Sequence, residues 1–106
     1  MTFIAIADDL RRTVNDAQGA LQSLSEKDTS ERPQPGKWSK KEILGHLIDS
    51  ATNNHQRFVR AALDGPLIFP GYEQDALAKL QRANDVDWSL LVRLWESYNL
   101  FVAHVL

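Results

Sequence analysis

Residues 3–24 read Phe3-Ile4-Ala5-Ile6-Ala7-Asp8-Asp9-Leu10-Arg11-Arg12-Thr13-Val14-Asn15-Asp16-Ala17-Gln18-Gly19-Ala20-Leu21-Gln22-Ser23-Leu24. Phe3, Ala7, Leu10, Val14, Ala17, Leu21 and Leu24 recur at alternating steps of four and three. That rhythm keeps one side of a 3.6-residue helix apolar, and charged or polar residues fill the other side. So regular a seam is typical of long helices packed side by side, and it sets the expectation of an all-α bundle. Gly19 within it costs about 1 kcal/mol against alanine and suggests a close helix crossing.

Working outward, residues 26–37 hold two prolines and a glycine among polar side chains and read as a loop. A strong helix start follows. Ser39-Lys40-Lys41-Glu42 has the spacing of a capping box, and Trp38 before it is placed for a hydrophobic staple against Ile43. The second helix is expected from Lys40 to Leu63, stopping at Asp64-Gly65-Pro66. Residues 64–72 read as a turn-rich link. A short helix is expected over Glu73 to Arg82, with Ala76, Leu77 and Leu80 inward. Asn84-Asp85-Val86-Asp87 breaks the chain before a last helix from Trp88, where Leu91, Trp95, Tyr98, Val102 and Val105 repeat the four-three rhythm. The expected architecture is one up-down helical-bundle domain over 1–106, with three main helices and a short helix in the second link.

Composition narrows the function classes. A net charge of −2 and the lack of any long basic run argue against nucleic acid as a partner. No run approaches the roughly 20 apolar residues of a membrane span, and the acidic N-terminal stretch does not read as a signal peptide, so a cytoplasmic location is expected. The absence of cysteine excludes disulfides and thiolate ligands from this chain. The last residues, Leu100 to Leu106, are apolar and lack a glycine or asparagine stop. This leads to the expectation that the sequence is a fragment with an uncovered apolar groove.

The second helix carries the candidate site. Ile43, Leu47, Ala51, Phe58 and Ala62 cluster on a face expected to meet the core. His46, Ser50, Asn53 and Arg57 follow at steps of four, three and four and make a polar stripe at its border. Such a stripe can line a cleft between helices. Spacing alone leaves His46 open between a packed boundary residue and a metal ligand. No HxxxH, HExxH or paired ExxH accompanies it. Asp49 is placed on the outer side, either solvated or hydrogen-bonded to a ligand. Arg57 reads as a surface ion-pairing group or a carboxylate clamp. His55 is placed toward the opposite flank, and the tryptophans and Tyr98 read as core.

The order Pro35-Gly36-Lys37-Trp38-Ser39-x-x-Glu42-x-x-x-His46-Leu47-x-Asp49-Ser50, followed by Asn53 and Arg57-Phe58, resembles the DinB-like superfamily. In particular it resembles the YfiT-type metal-dependent hydrolases and thiol transferases. Pro70-Gly71-Tyr72-Glu73-Gln74-Asp75-Ala76-Leu77 and Leu94-Trp95-x-x-Tyr98-Asn99 look like that family's inter-helix segment and third helix. The resemblance implies a four-helix bundle holding a divalent metal, nickel or zinc, through three histidines. His46 falls on the ligand position of the second helix, and the HxxxH pair of a fourth helix has no counterpart here. It further implies activation of a metal-bound water or small-molecule thiol. Asp49, Ser50, Asn53 and Arg57 are the candidates for supporting or cleft-lining roles. A second expectation stands beside the enzyme, a non-catalytic module that forms a homodimer through the open groove.

Overall fold

Local caps set where each helix begins. The computed structural model describes residues 2–64 and 74–106. Helix α1 spans Phe3–Gln22 and starts where the Thr2 hydroxyl accepts the Ala5 N–H at 3.1 Å. Residues read from sequence as loop include a short helix α2, Glu26–Ser30, opened by Ser25 accepting the Asp28 N–H at 3.0 Å. The overlooked signal is that serine followed three residues on by an acid, hidden by the prolines that come after. Helix α3 runs Lys40–Asp64, α4 runs Gln74–Gln81, and a single 3₁₀ turn covers Ala83–Asp85. Helix α5 spans Trp88–Val105. Among the described residues there is no strand, and no helix is long and apolar enough to cross a membrane. The Pro70–Glu73 part of the inter-helix segment lies outside the described residues.

Helix α5 is the centre of the packing. Leu44 of α3 and Trp88, Leu91 and Val92 of α5 form the buried core, with Leu21, Leu24, Ile48, Val86 and Trp95 packed around them. The indole N–H of Trp88 donates to the Leu21 carbonyl at 2.6 Å and fixes the end of α1 on the start of α5. Leu44 sits beside Trp88, and His55 meets Tyr98 one stretch further on, so α3 and α5 run parallel. The three long helices therefore run up, down and down again, with α1 and α3 both resting on α5.

That arrangement changes the reading of α3. The face expected to be core, with Ile43, Leu47 and Phe58, is 47, 44 and 40% exposed at those residues, whereas Leu44 is 4% exposed. Ala51 of the expected face is buried, but the rest of the buried face is turned toward Leu44 and Ile48 because α5 lies on that side. Leu80 of α4, expected inward, also points out.

Candidate functional site

The site is built on the N-terminal half of α3, and the capping box fixes where that half begins. The Ser39 hydroxyl accepts the Glu42 N–H at 3.2 Å, while a Glu42 carboxylate oxygen accepts the Ser39 N–H at 3.0 Å. Arg32 adds a 3.0 Å ion pair to Glu42. Burial is the strongest influence on the Glu42 carboxyl and pushes its pKa up, but the Ser39 N–H and the Arg32 guanidinium together outweigh it and hold it below the usual value. The fully buried Ser39 hydroxyl donates in turn to Asn84 Oδ1 at 2.5 Å, tying the helix start to the 3₁₀ turn.

This cap orients Trp38. Its ring lies 5.4 Å from the His46 ring, centroid to centroid, tilted by 48°. The indole and Ile43 line the same cavities in front of α3, in keeping with a staple position, and His46 is half-buried behind the indole. His46 is thus a ring held against an aromatic wall, one residue from Leu47 and three from Ile43.

Asp49 departs from expectation. It is 9% exposed, and its Oδ1 accepts the Gln81 Nε2 donor at 2.8 Å, so it faces α4 and not solvent. The sequence could not place it because Gln81 is 32 residues away and its approach depends on the return of the chain. Asn53 spends an amide hydrogen on the Asp49 carbonyl at 2.9 Å. Ser50 is half-buried and Arg57 is exposed on the same outer flank as His46. The polar stripe exists as a strip of α3 surface, and Asp49 does not belong to it.

His55, expected on the flank opposite His46, makes part of the α3–α5 contact. Its Nδ1 is 2.6 Å from the Tyr98 hydroxyl, and its ring meets Phe101 edge to face. A two-helix period would have found this pair only if α3 and α5 were known to be parallel.

A metal centre needs several donors converging on one point. Among the described residues no three of His, Asp, Glu or Cys are placed to hold a metal ion. His46 has an aromatic neighbour instead of a second donor, Asp49 is engaged by Gln81, and His55 is engaged by Tyr98. The described donor set does not fit a metal by itself.

Beside this site runs an apolar groove of about 270 Å³, walled by Ala17 and Leu21 of α1, by Leu24 just after it, and by Ile43, Leu44 and Leu47 of α3. Trp88 and Trp95 of α5 form its floor. It exists because α1 and α3 pack on α5 from two sides without closing over it. Comparison with curated proteins and with solved structures gives no match. The family model described as DinB superfamily matches residues 9–97, which takes in the Trp38–Ser50 motif, all of α3 and most of α5. This chain belongs to the DinB superfamily.

Proposed function

We propose that this chain is a divalent-metal-dependent hydrolase or thiol transferase of the DinB type in which His46 is a metal donor and the other donors come from outside the described residues. The observation that carries this reading is the position of His46. It falls in the stretch that resembles the superfamily's second-helix motif, is half-buried against Trp38, and its neighbour Leu47 lines the open groove. Nickel or zinc is the metal class, and a small-molecule thiol is the substrate class. A zinc titration followed by the imidazole NMR signals of the three histidines tests it. The signals of His46 should move selectively and His46→Ala should abolish the response. An equal response from His55 and His104, or an unchanged metal uptake in His46→Ala, overturns it.

The groove favours a second reading, a homodimer in which two copies cover each other's apolar walls. Ile43 and Leu47 are large aliphatic side chains left nearly half exposed side by side along it. A solution mass by sedimentation decides the matter: a monomer at high concentration removes this reading, and a dimer dispersed by Leu47→Glu supports it.

A further inference from the structure

A second cavity, of about 450 Å³, is lined by the segment 32–38, by Glu42 and by helix α4. Arg32, Lys37, Trp38, Glu42, Asp75 and Lys79 supply its polar and aromatic lining. Its walls are set by backbone features and not by chance side-chain positions. Gly36 has φ of 82°, a left-handed conformation that favours glycine, and the Lys37 N–H closes a turn onto the Gln34 carbonyl at 3.1 Å. That turn delivers Lys37 to the rim, and the capping box delivers Trp38. Arg32 is held by its pair with Glu42, so those two charges are matched. Lys37 and Lys79 remain against the single carboxylate of Asp75, with no ion pair to either lysine among the described residues.

We infer that this cavity is a binding site for small organic monoanions, carboxylates with a flat apolar body, with Lys37 and Lys79 receiving the carboxylate and the Trp38 indole receiving the body. The volume falls in the range of small-molecule sites. An indole face offers contact area to a planar group at low entropic cost. The Asp75 carboxylate disfavours a more highly charged anion such as phosphate, since like charges at short range repel. A ligand here rests against the same indole that backs His46, which places it beside the candidate residue of α3. The inference needs no metal and stands independently of the proposed activity.

Benzoate is the probe, with benzyl alcohol and inorganic phosphate as controls. Binding is followed through the indole N–H signal of Trp38, assigned with Trp38→Phe. Benzoate should give a saturable shift of that signal in the millimolar range expected for so small a ligand. Lys79→Glu should weaken it at least tenfold, and Lys37→Ala about threefold, with helicity by circular dichroism unchanged. Phosphate should bind more weakly than benzoate, and benzyl alcohol should not saturate. Wild-type affinity in both lysine variants, equal binding of phosphate or benzyl alcohol, or a response at Trp88 or Trp95 alone would each overturn the inference.

Discussion

The Glu26 carboxylate accepts the backbone N–H of Trp88 at 2.6 Å, 62 residues away in sequence. Asp87 occupies the N-cap position of α5 but makes no side-chain cap hydrogen bond, so the cap of the central helix is supplied by α2. The second oxygen of Glu26 pairs with the buried Lys41 ammonium at 2.6 Å. One carboxylate therefore joins α2, α3 and α5 at the end of the bundle where the core begins. A buried lysine without that partner would be a charge stranded in an apolar setting.

This relationship predicts an acid limb of stability. The Lys41 hydrogen bond, then the Trp88 N–H, hold the Glu26 carboxyl below its ordinary value of 4.5 despite some desolvation. A carboxylate with a lowered pKa in the folded state contributes stability that is fully present above the unfolded-state value. It is lost as pH falls through the depressed folded value. Urea midpoints should therefore drop as pH is taken below about 4.5. Glu26→Gln should lower stability at neutral pH and flatten the acid limb. An acid limb as steep in the variant as in the wild type would show that Glu26 is not its source.

Gly45 sits where α3 meets the 3₁₀ turn. A Cβ placed there would lie 2.9 Å from the Ala83 Cβ, closer than such atoms approach. Ala83 cannot easily retreat, because the next residue, Asn84, is held by the Ser39 hydroxyl. Alanine gains about 1 kcal/mol in helix propensity, but overpacking costs ~1–3 kcal/mol. Gly45→Ala should therefore be destabilising by up to ~2 kcal/mol, and Gly45→Val by more. Chemical denaturation measures both.

The His55–Tyr98 contact couples the middle of α3 to the middle of α5. Tyr98→Phe keeps the ring and removes the hydroxyl. For a half-buried pair the loss should be about 0.5–1.5 kcal/mol. His55→Phe in the Tyr98→Phe background tests the pairing: a double-mutant cycle with no coupling energy would show that the two residues do not act together.

What was legible in the sequence follows from the range of each interaction. The start of α3 is written within four residues, Ser39 to Glu42, and the structure forms both hydrogen bonds of that box. The seam of α1 is equally local, and Ala7 and Val14 from it are buried. The short helix α2 was also locally encoded, by Ser25 and Asp28, but proline-rich neighbours masked it. The placement of Asp49 and Leu80 and the partner of His55 were not legible, because each depends on which direction the chain takes between α3 and α5. The candidate histidine emerged through its motif and not through its surroundings. Nothing in the spacing of His46 indicated that Trp38 would back it.

Leu44 and Leu47 turn that distinction into a measurement. Both are leucines three residues apart on α3, and periodicity assigned Leu47 to the core-facing side. In the structure Leu44 is 4% exposed and packs on Trp88, Leu91 and Val92, whereas Leu47 is 44% exposed along the groove. Truncating a buried leucine removes its transfer energy and leaves a cavity, so Leu44→Ala should cost ~2–5 kcal/mol. A half-exposed leucine has less to lose and can relax into open space, so Leu47→Ala in the monomer should cost under about 1 kcal/mol. Denaturation at low protein concentration gives the intrinsic values. If the cost of Leu47→Ala then rises with protein concentration while that of Leu44→Ala does not, the groove is being covered by a second copy, since association stabilises by mass action. Equal costs for the two leucines at every concentration would contradict the orientation of α3 on α5.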